Sequence, residues 1–244
     1  MRINPEDAHG LAARGTIRML ADWDWDGAES DLRRSVALAP SSMFARTELS
    51  RFLMAMGRMD EALVEAEKAE NLAPGSSVAM SFSPWINLKA RRYAASLAGF
   101  QRILDIDPHA FFADVENVFN LTRLGRLSEA GEHYSRARKA VPRGTEQVAD
   151  SWMMEYELAA GMREEAERTL AQWLARRRDS YVDGYNLAWM CSALGRKDEA
   201  MRWLETAYAE RSGEIYAVKV DPTLDALHGD PRFEALVKRM KFPE

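Results

Sequence analysis

Apolar side chains recur every three or four residues along most of the chain, in blocks of a dozen or so that stop at glycine or proline. That spacing gathers the apolar positions of each block on one face and predicts amphipathic helices. "RMDEALVEAEKAENLAP" (58–74) and "RLSEAGEHYSRARKAVP" (126–142) share one pattern, and "RKDEAMRWLETAYAERS" (196–212) fits the same frame. Pro40, Pro74, Pro108 and Pro142 are separated by equal gaps of 34 residues. A period of that length belongs to stacked helix pairs, each too small to bury its apolar face alone.

Within the period the positions have distinct physical jobs. Gly57, Gly125, Gly161 and Gly195 stand just before the second helix of a pair, where the first helix needs a left-handed terminal residue; Trp23 and Arg91 hold that place in two further units. Three residues into the second helix come Ala28, Ala62, Ser96, Ala130, Ala166 and Ala200, small enough for two helices to approach closely. Leu32, Ala66, Phe100, Tyr134, Leu170 and Leu204 follow four positions later on the same face. The frame gives six units, 9–42, 43–76, 77–110, 111–146, 147–180 and 181–214, the fourth longer by two residues. Arg178 and Ser212 take the proline place in the last two.

A 34-residue helix pair with these small, glycine and proline positions resembles the tetratricopeptide repeat, over about residues 9–212. The resemblance implies an all-α, right-handed superhelical solenoid of about six repeats. The third unit departs most, with Ser83, Pro84 and Asn87 where the family prefers a large apolar residue, a small one and an aromatic. Its first helix is expected either to kink or to begin at Pro84 with Ser83 as N-cap. After Ser212 the period breaks, and Asp221-Pro222 and Asp230-Pro231 each predict a short helix, together a cap over 215–244. Residues 1–8, with Pro5 about one period before Pro40, read as the end of a preceding repeat or as a short arm. "KVDPTLDALHGDPRFEALVKRM", taken with "DWDWDGAESDLRRSVALAP", resembles the C-terminal repeat regions of bacterial adenylate cyclases, winged-helix transcription regulators and serine/threonine kinases. None of the catalytic or DNA-binding residues of those proteins lies in this chain, so neither activity is carried over.

In the tetratricopeptide class the first helices line a concave face. The corresponding positions here are Phe44, Arg51, Phe82, Trp85, Lys89, Phe119, Arg123, Trp152, Tyr185 and Trp189, with Phe112, Glu48, Glu116 and Glu155 beside them. Aromatic anchors bordered by a few charges suit a peptide segment of a partner protein. The competing reading is that several of these rings pack between helices or beneath the cap. A clamp for a chaperone's terminal carboxylate is disfavoured, because Glu48, Phe82 and Glu116 stand where that clamp uses lysine and asparagine.

Candidate chemistry is sparse. "DWDWDG" (22–27) begins like a calcium loop, but the twelfth position, which must supply a bidentate carboxylate, is Arg33. His9, His109, His133 and His228 are scattered, and none has a second histidine within a helical turn. Cys191 is the single cysteine and falls at a core position, so it reads as an inert buried thiol and suits a reducing compartment. No catalytic residue, metal site or cofactor is assigned. A net charge of -5 gives no general attraction to nucleic acid, and no apolar run reaches the roughly 20 residues that span a bilayer. The expected place is the cytoplasm; 26 arginines among 33 basic residues point to a bacterial source. The expected function is a non-catalytic scaffold for protein–protein interaction, the regulatory or interaction module of a bacterial signalling protein. A free-standing adaptor or assembly factor is the alternative, and an enzyme with a site in the concave face a more distant one. Partner and oligomeric state are not readable.

Overall fold

A computed structural model describes residues 6–243. Pro5 and the reading of residues 1–8 as a repeat end fall largely outside them. Among the described residues there is no strand. Six pairs of helices follow one another: α1 (Ala8–Ile17) and α2 (Trp25–Leu38), α3 (Met43–Ala55) and α4 (Met59–Leu72), α5 (Ser77–Lys89) and α6 (Tyr93–Ile106), α7 (Phe111–Arg123) and α8 (Leu127–Ala140), α9 (Glu146–Ala159) and α10 (Arg163–Arg176), α11 (Gly184–Ala193) and α12 (Lys197–Glu210). A π-type turn, Arg18–Asp22, closes the first helix. Beyond the pairs come 3-10 segments at Ile215–Ala217 and Pro222–Leu227, then α13 (Pro231–Arg239).

The periodic positions account for this pattern. Ala28, Ala62, Ser96, Ala130, Ala166 and Ala200 are all at 0% exposure, so each second helix is in tight contact at its small residue. Leu32, Ala66, Phe100, Leu170 and Leu204 are buried one turn later, each large side chain contributing about 1.5–3 kcal/mol on leaving water. Tyr134 is only half-buried and turns its hydroxyl to Glu157 at 2.9 Å. Helices α2, α4, α6 and α8 stop two residues short of their prolines, as expected where the residue before proline is excluded from helical conformation.

The turn between paired helices needs a left-handed residue whatever its type. Gly57, Gly125, Gly161 and Gly195 have φ between 73° and 80°, but Trp23 (φ 55°) and Arg91 (φ 61°) adopt the same region. A side chain there costs about 1 kcal/mol relative to glycine, so the tertiary fold overrides the local preference.

Helix starts follow two designs. Ser42, Ser76 and Asp183 cap the first helices α3, α5 and α11 by accepting a backbone N–H. At the N-caps of α4, α8 and α12 stand Arg58, Arg126 and Arg196, which cannot cap. Each guanidinium instead grips the glutamate three residues on: Arg58 to Glu61 at 2.7 Å, Arg126 to Glu129 at 2.7 Å, Arg196 to Glu199 at 2.6 Å. These Arg-x-x-Glu clamps repeat with the fold and were not read from the sequence.

The third unit corrects one expectation. Helix α5 begins at Ser77 with Ser76 as its N-cap and carries Pro84 in its interior, so Ser83 is not a helix start. Proline removes the hydrogen bond that the carbonyl of Met80 would accept, a cost of about 3 kcal/mol. Burial of Met80, Phe82, Ile86 and Leu88 along the helix outweighs it. Asn87 donates to the Ser83 carbonyl at 3.0 Å.

Two compact units divide the chain. The first comprises the residues up to Arg92 with Gly213–Asp221 and the residues from Ala235 onward; the second comprises Tyr93–Ser212 with Pro222–Glu234. The division falls inside the period 77–110.

In the first unit the "DWDWDG" stretch has its final role. Asp24 caps α2 by accepting from Gly27 N at 3.1 Å, while Trp25 is buried, donates from Nε1 to the Met240 carbonyl at 2.7 Å and stacks on Phe242. Among the described residues no cluster of histidine, cysteine and acidic groups could hold a metal ion.

Candidate protein-interaction face

In the first unit, Phe44, Arg51, Phe82, Trp85 and Lys89 come from α3 and α5. Phe82 is buried; Phe44, Arg51 and Trp85 are half-buried. The Arg51 guanidinium lies 5.6 Å from the centre of the Phe82 ring and 3.4 Å from Glu48, whose other oxygen accepts from Thr16 at 2.9 Å. His9 packs on Phe44. Lys89 sits over Trp85 at 5.9 Å and forms an ion pair with Asp221 at 2.9 Å, with side-chain exposures of 3% and 0%. Asp221 ends the segment Gly213–Asp221, in which Ile215, Tyr216, Ala217 and Val218 are also buried. Burial pushes the Tyr216 phenol well above its ordinary pKa, and Glu214 adds to the rise. The hydroxyl stays protonated throughout the working range.

In the second unit, Phe119, Trp152, Tyr185 and Trp189 form a run of rings from α7, α9 and α11. Phe119 meets Trp152 edge-on at 4.8 Å, Trp152 meets Trp189 at 4.8 Å, and Tyr185 meets Trp189 at 5.3 Å. Their exposures are 0%, 3%, 0% and 4% for Phe119, Trp152, Tyr185 and Trp189. Edge-on pairs add about 0.5–1.5 kcal/mol each beyond area burial. Arg123 lies over Phe119 at 5.0 Å, pairs with Glu155 at 2.8 Å and donates to the Pro222 carbonyl at 2.9 Å. Ser192 donates to the Thr223 carbonyl at 2.9 Å. An open cleft of about 360 Å³ remains, lined by Thr122, Arg123, Glu155, Ser192, Thr223 and Asp225 among others.

The chain's own C-terminal segments therefore lie against residues of both sets. Sequence reading missed Asp221 as the counter-ion of Lys89. The signal available was Asp221 at the end of "IYAVKVD", a stretch apolar but for Lys219, where a carboxylate that is to be buried needs a cation.

The remaining titratable groups hold helices together. Asp114 of α7 meets His133 Nδ1 at 2.7 Å and Arg136 at 2.7 Å on α8. Burial alone would raise its pKa, but these two partners hold the carboxyl below its ordinary 3.8. His133 is thus an interhelical residue. Burial pushes the Cys191 thiol up to about 12, which removes the thiolate a nucleophile requires.

A family model described as "Tetratricopeptide repeat" matches residues 185–211, the last helix pair. No curated protein matches the chain. Solved structures do. PilW, described as a widely conserved type IV pilus biogenesis factor, is similar at TM-score 0.60 and 17% identity, over 87% of this chain and 97% of that one. PilF of Pseudomonas aeruginosa is similar at TM-score 0.56 and 16% identity, over 72% and 79%. MamA of Desulfovibrio magneticus RS-1 gives 0.55 and 16%, over 71% and 98%. The fold is of the tetratricopeptide-repeat type. At these identities the similarity speaks for the fold alone, and the match at 185–211 contains Gly195, Ala200 and Leu204, which stand at the turn, close-approach and buried positions of the 34-residue period. Among the described residues no helix is long and apolar enough to cross a membrane.

Proposed function

We propose that this chain is a non-catalytic interaction scaffold, the regulatory or interaction module of a bacterial signalling protein, which takes up a segment of a partner protein against its first helices. The supporting observation is the set of side chains that stay partly accessible there: Phe44, Arg51 and Trp85 on α3 and α5, and the cleft edged by Arg123 and Glu155. Tryptophan and arginine in such places provide large contact area and oriented charge at small entropic cost. The four buried rings of the second unit serve as the rigid floor, and contact falls to the residues at the edge. Micromolar affinity, about -8 kcal/mol, is the scale such a surface supplies.

Affinity capture with the full chain tests this reading. Trp85→Ala and Arg123→Ala, each checked for native helicity, are expected to lower partner capture at least tenfold. Equal capture by the folded variants would sink the assignment of the face. A free-standing adaptor or assembly factor is the second reading, in keeping with the biogenesis role that the description of PilW gives for that protein. The length of the native polypeptide separates the two.

A further inference from the structure

We infer that the face of α3 and α5 is a peptide-binding site whose resident ligand is the chain's own segment Glu214–Asp221, and that a competing partner segment carries the same chemistry. That chemistry is an aromatic residue five positions ahead of a carboxylate, with the carboxylate seated on Lys89. The inference rests on the interaction-scaffold reading and deepens it.

Three observations meet at this face. The Lys89–Asp221 ion pair is almost completely buried. Burying both charges costs much of what their attraction returns, so the pair fixes where a segment sits more than how tightly it sits. Tyr216 is buried at 2% exposure, and Arg51 and Glu48 act electrostatically on its phenol. The segment itself has little regular structure, only the 3-10 turn Ile215–Ala217, preceded by Arg211 in the left-handed region and by Gly213. Buried side chains and the Lys89–Asp221 ion pair hold it on α3 and α5, as a bound peptide is held in a groove. Val220 lies beside the α3–α4 turn, its Cγ1 3.9 Å from where a Cβ on Gly57 would stand. A tethered resident acts at an effective concentration of about millimolar. A free segment of equal chemistry competes poorly until the resident is weakened.

The test uses the full chain and a fluorescent synthetic peptide, GEIYAVKVDP, which copies residues 213–222. Asp221→Asn keeps the shape of the resident and removes its charge. This variant is expected to bind the peptide at least tenfold more tightly than the parent chain, and Lys89→Met added to it is expected to return binding to the parent level. A peptide with asparagine in place of its aspartate should lose the same factor. Folded Asp221→Asn protein that binds no better than the parent overturns the inference. Hydrogen exchange on the parent chain gives a second reading that needs no variant. Amides of Tyr216–Asp221 are expected to exchange at least a hundredfold faster than those in the middle of α3, and equal protection overturns the proposal. Partner capture does not enter either measurement, so failure here leaves the scaffold reading standing, and failed capture leaves this site untouched.

Discussion

The two compact units put the same repeat positions to opposite uses. In the second, Phe119, Trp152 and Trp189 pack ring on ring, and the face becomes core. In the first, Arg51 stands at the repeat position that Phe119 and Trp189 hold in the second, Lys89 follows one turn after Trp85, and the face becomes a seat for charge. Repeat register fixes where a side chain projects, but what it meets is decided by neighbours far away in sequence. An aromatic residue at a groove position is thus evidence of direction, not of exposure.

This contrast can be broken at its strongest points. Lys89→Ala leaves Asp221 buried without its cation and is expected to cost about 3–5 kcal/mol in urea unfolding, whereas the double change Lys89→Met with Asp221→Leu should recover most of it. Trp189→Ala should cost a similar 3–5 kcal/mol, because it opens a cavity in the ring run. Trp85→Ala, at a half-buried site, is expected to lose less than half as much while reducing partner capture. If Trp189→Ala proves mild and Trp85→Ala severe, the assignment of core and edge is reversed.

A smaller effect concerns pH. The folded-state pKa of Asp114 is held below its ordinary 3.8, so its contribution to stability is present above that value. It is lost as the pH falls through the lower folded value. Asp114→Asn should flatten this part of the acid unfolding profile, followed by helicity between about pH 5 and 2. The smallest expected effect is a gain. Arg91→Gly relieves a left-handed side chain on an exposed turn and should stabilise by about 0.5–1 kcal/mol, a melting shift of roughly 2 °C. No gain would mean that the Arg91 hydrogen bond to the Lys89 carbonyl offsets the relief.

Much of the fold was legible because it is local and repeated. The small residues at Ala28 through Ala200 and the prolines that end α2, α4, α6 and α8 act within their own helix pair. Trp23 and Arg91 looked like departures by residue type, although their backbone conformation conforms. Pro84 misled for a related reason: a local rule favoured a helix start, and burial on both sides of it kept the helix whole. The candidate face was legible in direction only. What covers it depends on pairings across 132 residues for Lys89 and Asp221, and another contact of the tail, Trp25 to Met240, spans 215. The tail breaks the 34-residue period, so no repeat frame extends to it.

Cys191 carries a practical consequence. Its sulfur is shut away at 0% exposure and its ionisation is pushed up to about 12, so the native chain behaves toward thiol reagents as though it had no cysteine. A probe attached through a newly introduced surface cysteine would report from that single place. Slow modification of the natural thiol, in turn, would count the moments when α11 comes loose.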